Sequence, residues 1–115
     1  MTGLERNADV VHLATYAPLF AHKDAWQWRP DLIWVDNLQV VKSINYYVQQ
    51  LYMHNKGSHV LSLTMNNEPV AGQDRLYASS VLESATNEVI VKLVNASEPG
   101  KSGQLNFDGR GKAPK

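Results

Sequence analysis

Apolar positions follow two different periods along this chain, and the change falls near Gly57. Ahead of it, Ile44, Tyr47, Val48, Leu51 and Tyr52 recur at the spacing of one face of an amphipathic helix. The predicted helix covers residues 43–56, with Ser43 as N-cap, His54 and Lys56 in the last turn facing the negative end of the helix dipole, and Gly57 as the residue that ends it. Residues 10–16 are nearly continuous in apolar character rather than alternating. That pattern predicts a strand covered on both faces, as in a parallel sheet with helices outside. Residues 1–8 read as the end of a helix with no start signal before it, so Met1 is expected to derive from an internal position. A polar loop over 21–31 carries Trp26 and Trp28, and a second short apolar run, 32–35, contains Trp34 and closes at Asp36-Asn37.

Behind Gly57 the period becomes two. Val60, Leu61, Leu63 and Met65 mark one strand, residues 76–82 a second, and Val89 to Val94, rich in β-branched side chains, a third. Asn66-Asn67-Glu68-Pro69 and Ser84-Ala85-Thr86-Asn87 are the turn signals between them, and residues 104–107 are expected to begin another strand. Such spacing suggests an antiparallel sandwich. The expected architecture is therefore mixed: α/β material over 1–57, the opening strands of a β-sandwich over 58–108, and a basic tail over 109–115, with neither half closed on itself by strand count.

Composition narrows the function. In 115 residues, 43% hydrophobic and 19% charged, there is room for one small globular domain and not for a complete (β/α)8 barrel, which needs about 250 residues. Eleven basic and eleven acidic residues cancel, which argues against phosphate backbones or anionic lipid as partners. The absence of cysteine excludes a disulfide framework and a thiolate metal site. Of the four histidines only His54 and His59 have a ligand-like gap, and it spans a helix terminus without a cysteine partner, so no metal is expected. No apolar run approaches the roughly 20 residues that span a bilayer, and the first residues are not patterned as a signal peptide. The sequence assigns no compartment. Asn95-Ala96-Ser97 fits the N-glycosylation pattern, a short motif with meaning only in a secreted eukaryotic chain.

Three segments carry a more specific signal. Met1 to Phe20 (MTGLERNADVVHLATYAPLF), Trp28-Arg29-Pro30-Asp31-Leu32-Ile33, and Asn45-Tyr46-Tyr47-Val48-Gln49-Gln50-Leu51-Tyr52 resemble, in order and at about the same spacing, stretches of family-51 α-L-arabinofuranosidases. The resemblance continues loosely through Ala78 and the strand over 89–95, and fades after about residue 100. It implies a (β/α)8 barrel with a packed β-sandwich, in which residues 10–16 match the last barrel strand and 43–56 the last barrel helix. It further implies hydrolysis of terminal α-L-arabinofuranosyl groups from arabinan or arabinoxylan with retention, without metal or organic cofactor. A retaining glycosidase needs a general acid and a nucleophile, two carboxylates about 5–5.5 Å apart. In the family both are Glu, and both lie upstream of the position matching Met1, so the resemblance implies that this chain has neither and is inactive alone.

The loop after a barrel's last strand faces the active-site end, so residues 17–31 are where a sugar contact is expected. Asp31 is the leading candidate as a hydrogen-bond acceptor for an arabinose hydroxyl, set against capping of the next turn or pairing with Arg29. Gln27 and Arg29 follow as weaker candidates. Trp26 and Trp28 offer flat apolar surface with a polar handle for a sugar face, set against packing between domains; Trp34, Tyr46, Tyr47 and Tyr52 read as core. His12 reads as a hydrogen-bonded core histidine. Unfinished barrel and sandwich edges predict self-association or dependence on the missing barrel portion. A non-catalytic sugar-binding or interaction module built on Trp26, Trp28 and Asp31 is the rival reading.

Overall fold

The computed structural model describes residues 1–109; the expected basic tail lies, from residue 110 on, outside the described residues. The chain divides into two compact units, residues 3–56 and the chain from Gly57 onward.

The first unit opens with a short helix, α1 (Thr2–Arg6), ended where the Asn7 side chain turns back and donates to the Gly3 carbonyl at 2.7 Å. Residues 10–16 form no strand, contrary to the sequence expectation, and Leu13 is 82% exposed. The reason is physical: a strand apolar on both faces is held by neighbours on both edges, and the three strands of this unit pair with one another instead. These are β1 (Phe20–His22), β2 (Ile33–Val35) and β3 (Val40–Lys42). β1 runs parallel to β2, with Phe20 opposite Ile33, and β2 runs antiparallel to β3, with Val35 opposite Val40. The turn between β2 and β3 is fastened by Asp36, whose Oδ1 accepts the Leu38 and Gln39 amides at 2.8 and 2.6 Å. β1 lies inside the segment expected to be loop, and β3 had no expectation attached to it.

Helix α2 (Ile44–His54) follows. Ser43 caps it as expected, its Oγ accepting the Tyr46 amide at 3.3 Å. At the other end the cap is Asn55, not a glycine: its amide and its side chain both donate to the Leu51 carbonyl. Only Tyr52 of the apolar face is buried; Ile44 is 83% exposed, and Tyr47 and Leu51 are also exposed. An apolar groove of about 490 Å³ runs between α1, residues 11–14 and α2, lined by Leu4, Val11, Leu13, Leu32, Tyr52 and Met53 among others.

In the second unit, Gly57 is needed for close approach rather than for a helix end. A Cβ there would lie 2.7 Å from Val81 Cβ and 2.8 Å from the Leu82 carbonyl oxygen. Strands β4 (His59–Leu61), β7 (Leu76–Glu83) and β8 (Glu88–Asn95) form an antiparallel sheet with β7 in the centre. Its middle residues, Ala78 to Val81, are buried, and Val81 faces Val60 on one side and Ile90 on the other. Ser58 ties the edge: its Oγ donates to the Leu82 carbonyl and accepts the Ser84 amide, at 3.1 and 3.0 Å. The strand expected through Met65 breaks after Leu61. Thr64–Met65 (β5) instead pairs with Glu68–Pro69 (β6) across Asn66 and Asn67, both at positive φ as a tight two-residue hairpin requires. Residues 104–107 form no strand; Leu105 and Phe107 are exposed. No helix among the described residues is long and apolar enough to cross a membrane.

Candidate functional site

The loop between β1 and β2 collects the residues singled out by the sequence. Pairing of Ala21 with Trp34 anchors both its ends in one sheet. Within it, Arg29 lays its guanidinium over the Trp26 ring, 4.3 Å from the centroid, and reaches Trp34 at 5.6 Å. Trp26 and Trp34 meet edge to face at 6.2 Å. A cation over an aromatic face is attracted by the ring quadrupole, so these three side chains brace the loop. The Tyr16 hydroxyl adds a long contact of 3.4 Å to the Pro30 carbonyl.

Two candidates lie outside that stack and differ from each other. Trp28 is 68% exposed, and among the described residues it makes neither a ring contact nor a hydrogen bond. Asp31 is only 3% exposed, and its Oδ2 is buried without a hydrogen-bond partner. A buried carboxylate oxygen left without a donor is costly, and a ligand or a neighbouring segment normally supplies what is missing. Pairing of Asp31 with Arg29, the plain alternative in the sequence, is not what the structure shows, because that guanidinium lies on the tryptophans. Gln27 is exposed and points to no described partner.

The Asp36 carboxyl is held below its ordinary value. Its pKa is lowered by the amide of Leu38 first and that of Gln39 second, with Lys23 and His22 adding smaller electrostatic help. Lys23 Nζ approaches Asp36 Oδ2 at 3.8 Å. Asp36 is thus committed to its turn. His12 lines the groove beside α2, and His59 Nδ1 sits 3.0 Å from Ser58 Oγ. Among the described residues no three His, Cys, Asp or Glu side chains gather closely enough to hold a metal ion.

The family model for the C-terminal domain of α-L-arabinofuranosidases matches residues 1–111. The chain belongs to that family. An extracellular exo-α-L-arabinofuranosidase of Streptomyces chartreusis is 55% identical over 69 residues, covering 60% of this chain and 8% of its own length. The α-L-arabinofuranosidase A of Aspergillus kawachii is 37% identical over 97 residues, covering 83% of this chain and 14% of its own. Among solved structures, an arabinose-bound GH51 α-L-arabinofuranosidase superposes with a TM-score of 0.71 at 38% identity, over 84% of this chain and 15% of that one. The chain corresponds to the C-terminal portion of a family-51 arabinofuranosidase, and it spans under a fifth of the length of these relatives.

Within this arabinofuranosidase domain, the role of Arg29 as a clamp on Trp26 and Trp34 was not foreseen from sequence. A spacing of three between Trp26 and Arg29 is common, and only the return of the chain through β2 brings Trp34 to them. The burial of Asp31 was equally hidden, since a Pro-Asp pair reads as a surface turn.

Proposed function

We propose that this chain is the C-terminal part of a retaining enzyme that removes terminal α-L-arabinofuranosyl groups from arabinan or arabinoxylan, and that it is inactive alone. The observation that carries this is the family match over nearly the whole chain, set against its small share of the relatives' length. Residues 1–57 then supply the end of the barrel, with residues 10–16 becoming its last strand once neighbours flank them, and 58–108 begin the sandwich. The exposed face of α2 and the groove beside it are the surfaces that the rest of the barrel covers; without it they favour self-association. In this reading the chain's own carboxylates do not supply the pair that retention needs: Glu5 is in α1, Glu68, Glu83 and Glu88 belong to the second unit's strands, Glu98 follows them, Asp36 is occupied by its turn, and of the two acidic residues in the β1–β2 loop Asp31 is buried while Asp24 stands exposed.

In the assembled enzyme the β1–β2 loop contributes substrate contacts. Asp31 has a free acceptor that an arabinose hydroxyl satisfies; Trp28 and Trp26 offer ring surface, and Gln27 and Arg29 polar contacts. No metal or organic cofactor takes part. The rival, a sugar-binding module without catalysis, draws support from the unoccupied Trp28 surface. Treatment of the chain with a mechanism-based arabinofuranosyl probe that traps a carboxylate nucleophile separates these readings from catalysis by the chain itself. No labelled residue is expected, and a glycosyl ester on any Asp or Glu of this chain overturns the assignment. For the substrate contact, Asp31→Asn in the assembled enzyme is expected to raise KM about tenfold, the scale of one charged hydrogen bond; an unchanged KM and kcat removes Asp31 from the site.

A further inference from the structure

The β1–β2 loop is held by side chains over the stretch that leads to Asp31. At its start the Lys23 amide donates to the Val35 carbonyl and the Ala25 amide to that of His22, both at 3.0 Å. Backbone pairing resumes at its end, where the Leu32 amide donates to the Pro18 carbonyl at 3.2 Å and that of Ile33 to Leu19 at 3.0 Å. Between these points, among the described residues, no backbone amide over 26–31 donates to a carbonyl. Two side-chain contacts fasten the stretch instead. One is the reach of the Tyr16 hydroxyl to the Pro30 carbonyl at 3.4 Å, long for an O–H donor. The other is the stack on Trp34, with Trp26 edge-on at 6.2 Å and the Arg29 guanidinium 5.6 Å from its ring centroid and 4.3 Å from that of Trp26. Of the three, only Trp34 sits in a strand: it is the middle residue of β2, opposite Ala21 of β1 on one side and Val41 of β3 on the other. The loop is therefore tied to the sheet through this one ring.

Asp31 cannot hold itself in place, because its Oδ2 is buried without a donor. Its position is set by the backbone on either side. Downstream that is the start of β2. Upstream only Pro30, whose ring fixes φ, separates it from Arg29, so a shift of Arg29 is passed to Asp31 with little slack. A hydrogen bond weakens steeply as its distance and angle depart from the optimum, so a small displacement of the carboxylate costs most of a contact to a hydroxyl. We propose that Trp34 is a positioning residue for the substrate contact of Asp31: it touches no sugar, and it holds Arg29 and Trp26 so that the buried carboxylate meets the arabinose hydroxyl. This rests on the assignment of Asp31 as a substrate contact and adds the device that keeps it in register.

A double-mutant cycle in the assembled enzyme tests it, with KM and kcat read on an aryl α-L-arabinofuranoside. Trp34→Leu is expected to raise KM about fivefold, less than the roughly tenfold of Asp31→Asn because the contact is loosened rather than removed. In an enzyme that already carries Asp31→Asn, the same change is expected to add less than about twofold, since the two residues act through one contact. Trp34→Phe, which keeps a ring for the guanidinium, is expected to recover most of the loss. General damage to the fold acts alike in both backgrounds. An equal rise of KM with and without Asp31 therefore overturns the proposal, as does an unchanged KM in Trp34→Leu, or a Trp34→Phe enzyme as impaired as Trp34→Leu. Where Trp34→Leu does not fold, Arg29→Met removes the cation and leaves Trp34 in its strand. The same conditional rise is expected, and a rise in both backgrounds would mean that Arg29 reaches the sugar without the stack, which overturns the proposal. The two levels fail differently. If Asp31→Asn raises KM and Trp34→Leu does not, only the positioning role falls; if Asp31→Asn leaves KM and kcat unchanged, the substrate contact falls and the proposal with it.

Discussion

The two units handle their apolar residues in opposite ways. From Gly57 onward, the central strand β7 buries Ala78 to Val81 between two hydrogen-bonded neighbours, and its edge is fastened by Ser58. In residues 3–56, by contrast, several apolar positions with a strong sequence pattern are exposed: Leu13 in a segment with no strand, and Ile44 and Leu51 on the apolar face of α2, where Tyr52 is buried. Local hydrogen bonds form in both units, at the Ser43 cap in one and along the β7–β8 ladder in the other. What separates them is burial, which is nearly complete at the centre of β7 and slight along the apolar face of α2. A hydrophobic pattern records the environment for which a segment was selected, and that environment can lie in another part of the protein.

The largest effect is expected from Val81→Asp. A charge at a 2% exposed position between Val60 and Ile90 costs more than about 3 kcal/mol and should abolish the sheet of the second unit. Amide exchange resolved by residue checks it: loss of protection confined to β4, β7 and β8 supports two separately organised units, while equal loss in α2 breaks the contrast. Gly57→Val comes next. Its side chain meets Val81 and the Leu82 carbonyl, and a destabilisation of about 1–3 kcal/mol in thermal or urea melts is expected from overpacking alone. A neutral outcome would mean that the backbone at residue 57 does not approach β7 as closely as described.

The first unit should respond differently. Ile44→Lys, on the open face of α2, is expected to change stability by less than about 0.5 kcal/mol yet to lower self-association in sedimentation experiments. Strong destabilisation of a monomeric chain would show that this face is already packed. The smallest effect concerns acid. The Asp36 carboxylate titrates below its ordinary value because the Leu38 and Gln39 amides stabilise its charged form. Its contribution to the β2–β3 turn is therefore present above the ordinary carboxylate range and is lost as pH falls through the lowered value. NMR shifts of the Leu38 and Gln39 amides should move in that acidic window, and Asp36→Asn should flatten them.

Legibility in the sequence followed the same division. α2 and the β7–β8 hairpin were readable because each shows its period within a dozen residues and carries its own cap or turn, Ser43 in one case and residues 84–87 in the other. Residues 10–16 have the composition of a strand, but pairing is a long-range property that composition does not supply. β1 and β3 went unseen because three-residue strands such as Phe20–His22 and Val40–Lys42 are too short to show a period. Gly57 stands where a helix end is expected, but its lack of a side chain serves contact with Val81. At the candidate site, the residue types were visible and their roles were not. Burial of Asp31 and the covering of Trp26 by Arg29 depend on where β2 returns the chain.

Complementation tests the central claim most directly. The catalytic portion of a family-51 arabinofuranosidase, truncated before the segment matching residue 1, is combined with this chain and assayed on an aryl α-L-arabinofuranoside. The account predicts no hydrolysis by the chain alone, little by the truncated portion, and hydrolysis when the two are mixed or fused. Hydrolysis by the chain alone, or full activity of the truncated portion without it, would contradict the account.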